Sequence, residues 1–186
     1  MALLPLDEAR AVVLAGCAAL EPVRVAPADA VGCVLAAPVV ADHDLPPFAN
    51  TAMDGFAVRA ADTAGASAEH PVRLRISGAV TAGRSPVVGV EPGTAVRIMT
   101  GAPIPPGADG VVMVEATTTL ADGTVEISMA VEPGANVRPA GDDLHAGQPV
   151  FPAGTVLGPG HLGVLASLGR TVIEVVPRPR VGVLST

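Results

Sequence analysis

The sequence predicts an α+β protein: a helix-containing, discontinuous lobe into which a small β-rich domain is inserted. Three observations carry that expectation. Apolar residues recur at helical spacing near both ends, and alternation with a period of two dominates the middle. Gly and Pro supply 21 and 19 of the 186 residues, a share that fits many short strands joined by tight turns.

Residues 7–20, DEARAVVLAGCAAL, place Ala9, Val13, Gly16, Cys17 and Leu20 on one helical face. Asp7 is the expected N-cap, Glu8 lies in the first turn, and Pro22 follows the end. Residues 28–36, ADAVGCVLA, predict a second, shorter helix with Pro27 near its start. PVVADHDLPPF then runs extended, because tandem prolines exclude helix.

From residue 45 the period changes. VRLRISG (72–78) alternates strictly, with Val72, Leu74 and Ile76 inward and Arg73 and Arg75 outward. DGVVMVEATTT (109–119) and TVEISMAV (124–131) predict further strands joined by the turn LADG. Between 78 and 109, 93–99 is the one short helical candidate in a segment dense in turn residues. GPGHLGVLASLG (158–169) restores helical spacing through Leu162, Leu165 and Leu168 and stops at Gly169. TVIEVV (171–176) predicts a strand, PRPR (177–180) a linker, and VGVLST (181–186) a continuous apolar strand of the parallel-sheet kind. Residues 1–44 and 140–177 are therefore expected to form the discontinuous lobe, with 45–139 inserted. Residues 178–186 read as the first strand of a further α/β domain, so the natural protein is expected to continue.

Composition narrows the chemistry. The net charge is −7, all eleven cations are Arg, and Lys is absent, which excludes a lysine Schiff base or a P-loop within these residues. An acidic chain with three Phe and no Tyr or Trp is a poor nucleic-acid binder. His43, His70, His145 and His161 are scattered, and Cys17 and Cys33 show no metal spacing, so the thiols are expected as reduced core residues. No apolar run is long enough for a membrane span, and the start MALLPLDEAR turns acidic too soon for a signal peptide. A cytoplasmic protein is expected.

Three polar interruptions of an Ala/Val-rich background carry the candidate chemistry. In NTAMDGFAV, Asp54 precedes Gly55. The pair is either a plain hairpin turn or a carboxylate held at a strand end to face a ligand. In RIMTGAPIPPGAD, Thr100 and Gly101 are expected to end a helical turn, where a hydroxyl and free amides suit an oxyanion. In RPAGDDL, Arg138 stands near the adjacent acids Asp142 and Asp143, which could hold a hard cation such as Mg²⁺. The residues alone reach a two-lobed protein with candidate anion and Mg²⁺ sites.

At these same stretches the sequence resembles the MoeA/gephyrin family, the molybdopterin molybdenumtransferases. NTAMDGFAV is similar to the family signature (N/R)SAMDGYA, and VRIMTGAPIPPGADGVVMVE follows its RIMTGAP block nearly throughout. NVRPAGDDLHAGQPVFPAGTVL matches the block built around GEDI, and RPRVGVLST is how the next, pterin-binding domain begins in the family. Thr51, Phe56 and Asp142 stand where Ser, Tyr and Glu are usual. The resemblance implies a homodimeric enzyme of molybdenum-cofactor biosynthesis that places molybdate on adenylylated molybdopterin and releases AMP with Mg²⁺. It implies catalytic roles for Asp54, Thr100 and Asp142, and cofactor-binding roles for Thr100 and Gly101. Asp54, Asp142 and Asp143 would hold the metal. It also implies that this chain alone is inactive. The rival expectation is a dimerisation or scaffold module whose acids only form turns.

Overall fold

The structure, a computed structural model, describes residues 4–185. Its elements run α1 (Leu6–Ala15), β1 (Val23–Val25), β2 (Val34–Leu35), β3 (Val39–Val40), β4 (Asn50–Thr51) and β5 (Gly55–Val58). There follow β6 (Val72–Val80), β7 (Thr94–Ile98), β8 (Gly110–Met113), β9 (Thr117–Thr119) and β10 (Thr124–Ile127). The last are β11 (Val137–Arg138), β12 (Pro149–Phe151), α2 (Pro159–Ser167) and β13 (Ile173–Val176). The described chain is thus mostly β with two α-helices. It divides into two compact units: His43–Ala146, and the residues up to Asp42 together with those from Gly147 on.

The central unit is built on a six-stranded sheet of order β8-β5-β7-β6-β10-β9. The alternation of 72–78 is present as expected: Leu74 is buried, while Arg73 and Arg75 are exposed along β6. The middle of the sheet is different. Phe56, Val58, Leu74, Ala95, Val112, Val125 and Ile127 form one cluster. Ala57, Val80, Val90, Val96, Ile98, Ala102 and Val111 form a second. Neighbouring residues of β5, β7 and β8 fall in opposite clusters, so these strands are covered on both faces. Full burial of a side chain such as Phe56 or Ile98 contributes roughly 1.5–3 kcal/mol. Residues 81–93 connect the parallel pair β6 and β7, and they bring Val88 and Val90 onto the second cluster.

Two-sided burial accounts for one departure from the sequence expectation. The helical candidate 93–99 is the strand β7, where Thr94, Ala95, Val96 and Ile98 are all buried and only Arg97 is exposed. A strand covered on both faces shows no alternation, so its pattern does not separate it from a helix. The stretch 109–119 is likewise two strands, β8 and β9, separated by a 3-10 turn at Val114–Ala116. The strand expected over 124–131 ends at Ile127.

In the other unit, β1-β13-β2 form an antiparallel sheet and β3 pairs with β12. The α2 helix fits its expected span: Leu165 and Leu168 are buried, and Gly169 stops it with φ +66°. His161 Nδ1 accepts the Gly158 amide at 3.0 Å, which caps the helix start. The N-terminal helix is shorter than expected. It begins at Leu6 after Pro5, has no side-chain cap, and ends before Gly16. Asp7 is therefore a first-turn acid rather than the N-cap, and Cys17 is exposed while Cys33 is buried. The helix expected over 28–36 is a 3-10 turn at Pro27–Asp29 followed by β2. Gly32, at φ +78°, turns the chain between them. Residues 181–185 form no strand, and Val181, Val183 and Leu184 are exposed; Thr186 lies outside the described residues.

Candidate functional site

Strand pairing brings Asp54 and Thr100 together. β5 runs antiparallel to β7 with Gly55 opposite Ile98, so the residue before Gly55 meets the residues after Ile98. The Thr100 amide donates to Asp54 Oδ1 at 2.7 Å, and the Thr100 hydroxyl donates to the same oxygen at 2.8 Å. The Asp54 carbonyl accepts the Val114 amide at 3.0 Å, which ties the residue to the far side of the sheet as well.

The hairpin reading of Asp54-Gly55 does not hold. β4 and β5 lie in different sheets, and Gly55 is a strand residue without a positive φ. What Gly55 supplies is closeness: a Cβ there would collide with the Val112 carbonyl. Glycine lets β8 lie against β5, and the carboxylate sits one residue outside that tight pairing.

Thr100 and Gly101 do not end a helical turn. They are the middle of a β-turn in which the Ala102 amide donates to the Met99 carbonyl at 2.9 Å, with Gly101 at φ +77°. Their amides are not free either. Thr100 N–H is taken by Asp54, and Gly101 N–H donates to the Thr51 carbonyl at 2.8 Å. The place expected for an external anion is filled by the chain's own carboxylate.

These donors act on the charge of Asp54. The Thr100 amide first, then its hydroxyl, and more weakly the nearby Arg97 hold the carboxyl below its ordinary value, against a partly opposing desolvation. Asp54 is exposed and ionised, and both bonds fall on Oδ1, leaving Oδ2 open to a cation or a donor from outside.

The acidic pair is placed differently. β11 pairs with β4, Arg138 opposite Asn50. From there the Arg138 guanidinium holds Asp142 at 3.0 Å and Asp143 at 2.8 Å. Both acids lie in the same unit as Asp54 and Thr100. Among the described residues no group of three or more His, Cys, Asp or Glu is arranged to hold a metal ion.

Two residues of this arrangement carry no separate role in the sequence expectations. Thr51 is buried; its hydroxyl accepts the Met53 amide at 3.1 Å and its carbonyl holds the Gly101 turn. A Thr whose hydroxyl can take the amide two residues on is the available signal for such a turn. Arg97 is legible only once 94–98 is read as a strand, since only then does it fall on the exposed end of β7.

The fold and this geometry define a class: a mostly β module that presents one anchored carboxylate at the end of a two-sided sheet. Residues 4–169 match the model of the MoeA N-terminal region, domains I and II, and the chain belongs to that family. It is 45% identical over 168 residues to Molybdopterin molybdenumtransferase 2 of Mycobacterium tuberculosis, covering 90% of this chain and 41% of that protein. It is 40% identical over 155 residues to Molybdopterin molybdenumtransferase of Bacillus subtilis, covering 82% and 36%. The crystal structure of the molybdopterin biosynthesis moeA protein from Pyrococcus horikoshii superposes with a TM-score of 0.83 at 34% identity, covering 94% of this chain and 46% of that one. The chain spans less than half the length of these relatives. Among the described residues no helix is long and apolar enough to cross a membrane.

Proposed function

We propose that this chain serves as the N-terminal region of a molybdopterin molybdenumtransferase, which places molybdate on adenylylated molybdopterin with release of AMP. The observation that carries this reading is the pair of Thr100 bonds on one oxygen of Asp54. They keep a carboxylate charged and aimed without occupying its second oxygen. The names of the Mycobacterium and Bacillus relatives support the substrate class.

Mg²⁺ suits one or two carboxylates, with water and substrate phosphates completing its shell. The Asp54 carboxylate, with Oδ2 open, fits that requirement; Asp142 and Asp143 fit it only when they exchange Arg138 for the ion. When bound, Mg²⁺ would neutralise charge on the phosphate and molybdate oxygens. Asp54 would hold and orient the ion, and Thr100 and Gly101 position Asp54 through the β-turn they form. Arg138 keeps the acidic pair fixed and offsets one of its two charges.

The test is a chimera in which this chain replaces the matching region of the Bacillus subtilis relative, expressed in cells lacking the transferase. Asp54→Asn should leave melting nearly unchanged, because the amide keeps an acceptor for Thr100, and should abolish cofactor formation. Unchanged cofactor formation would sink the proposal.

A second reading, a dimerisation or scaffold module, is favoured by one observation. α1 buries none of its residues, and Leu6 and Val12 are 82% and 67% exposed. A second copy of the chain is the occupant proposed for that face. On this reading alone, polar substitutions in α1 would block cofactor formation and Asp54→Asn would not.

A further inference from the structure

We propose that Asp122–Gly123, in the turn between β9 and β10, is the place where this chain forms isoaspartate, with Thr124 as the residue that restrains the reaction. An Asp-Gly bond rearranges when the glycine amide nitrogen attacks the carboxyl carbon of the Asp side chain. The new C–N bond closes a five-membered succinimide, and the carboxyl hydroxyl leaves with the amide proton as water. Water then opens one carbonyl of the ring or the other, returning Asp or giving isoaspartate, so the atoms balance without a further reagent. Glycine favours the attack, because no side chain restricts the approach of its nitrogen.

The sequence holds three such dipeptides, Asp54–Gly55, Asp109–Gly110 and Asp122–Gly123, and the fold closes two of them. Gly55 is locked in β5 between Ile98 and Met113, while both Thr100 bonds hold Asp54 Oδ1. Asp109 is fixed from three directions. Its amide donates to the Val58 carbonyl at 3.1 Å, its Oδ1 accepts the Ala60 amide at 2.6 Å, and its carbonyl accepts the Gly134 amide at 2.6 Å. Gly110 is buried in β8. Bringing the carboxyl carbon onto the next nitrogen requires the peptide unit to turn, and a paired strand permits that only when it opens.

The third dipeptide is open. Asp122 and Gly123 are both exposed, and Gly123, at φ +82°, has no atom within 4 Å of where a Cβ would stand. Among the described residues its N–H meets only the Leu120 carbonyl, at a long 3.3 Å. What holds the site is Thr124. Its hydroxyl donates to Asp122 Oδ1 at 2.6 Å and its amide to the same oxygen at 3.1 Å. The hydroxyl above all keeps the carboxyl below its ordinary value, with a smaller opposing desolvation and weaker help from the amide and Arg73. An ionised carboxylate has no hydroxyl to lose, so the rearrangement waits until Thr124 lets go. Its product routes the main chain through Cβ and lengthens the turn by one carbon. That displaces the Gly123 carbonyl from the Ile76 amide, which it holds at 2.9 Å. The damage stays at one end of the sheet, where β9 is the edge strand, and leaves β5 between β7 and β8.

The experiment ages the folded chain for weeks at neutral pH and physiological temperature. It is then digested with a protease that cuts before Asp but not before isoaspartate, and mass spectrometry reads each site. Isoaspartate should accumulate at Asp122 while Asp54 and Asp109 stay intact, and in urea all three should form it. Thr124→Val deletes the hydroxyl and keeps the branched side chain. It should speed the product at Asp122 about fivefold, the rate equivalent of one ordinary hydrogen bond. Asp122→Glu should abolish the product there, because its ring would need one more member. A variant that merely loosens the fold raises all three sites together, so the rate at Asp122 relative to Asp54 and Asp109 decides. Product at Asp54 or Asp109 in the folded chain as fast as at Asp122 overturns the site. So does a folded chain that forms none at Asp122 while the chain in urea does. An unchanged relative rate in Thr124→Val overturns the restraint by Thr124.

Discussion

Thr100 donates twice to one oxygen of Asp54, from its amide at 2.7 Å and its hydroxyl at 2.8 Å. The pairing of β5 with β7 makes this meeting unavoidable, because Gly55 stands opposite Ile98. Its first consequence is a pH dependence. Asp54 is fully exposed, so the contribution is small and screened: it is fully present above the ordinary carboxyl value and is lost as pH falls through the lowered one.

Thr100→Val should therefore raise the Asp54 pKa part of the way to normal. The amide, the larger cause, still donates, and only the hydroxyl is lost. A carbon-13 NMR titration of the carboxyl checks this. A titration curve identical to that of the parent would mean that the hydroxyl does nothing for the charge.

Gly55→Ala should destabilise the central unit severely. The new methyl meets the Val112 carbonyl, and backbone cannot rotate away as a flexible side chain can. Overpacking costs about 1–3 kcal/mol, and a clash with backbone belongs at the upper end. Urea denaturation gives the value, and a loss below about 0.5 kcal/mol would show that β8 can move aside.

Arg138→Gln should tighten Mg²⁺ binding if Asp142 and Asp143 are metal ligands, since the guanidinium and the ion compete for the same oxygens. Calorimetric titration with MgCl₂ reads the change directly. Equal affinity in the variant and the parent would leave the acidic pair a structural ion-pair cluster.

Leu6→Glu with Val13→Glu should convert a homodimer to an 18.4 kDa monomer without loss of secondary structure, because α1 has no buried residue to lose. Sedimentation at tens of micromolar, together with circular dichroism, tests it. A parent that already sediments as a monomer would remove the second copy as the partner of α1.

How legible the molecule is from its sequence depends on which faces are wet. β6 and α2 keep one solvent face at Arg73, Arg75 and Gly163, and their periods show it. β7 is buried on both sides, so TAVRI carries no alternation and its pattern reads equally as helix. The three site stretches stand out as polar groups in an apolar chain. The Arg138–Asp142 contact is local and legible, four residues apart, whereas Asp54 reaches Thr100 across 46 residues through strand partners that no local pattern names. The Asp54-Gly55 dipeptide shows the limit well: Gly is needed for a neighbour's backbone, which a turn rule cannot see.

The order of strands in the central sheet bears on how the chain is made. Among the described residues β5 has β7 and β8 as its only sheet neighbours, so none of its ladder forms until synthesis has passed Thr94, and it is not flanked on both sides until Met113. Pairings this distant are slow to close, and the ribosome delivers them one at a time. Until then Gly55–Val58 is an apolar strand with two open edges, the kind of segment that pairs with the wrong chain. Asp54 sets a charge at its mouth, the placement by which gatekeeper residues oppose such pairing.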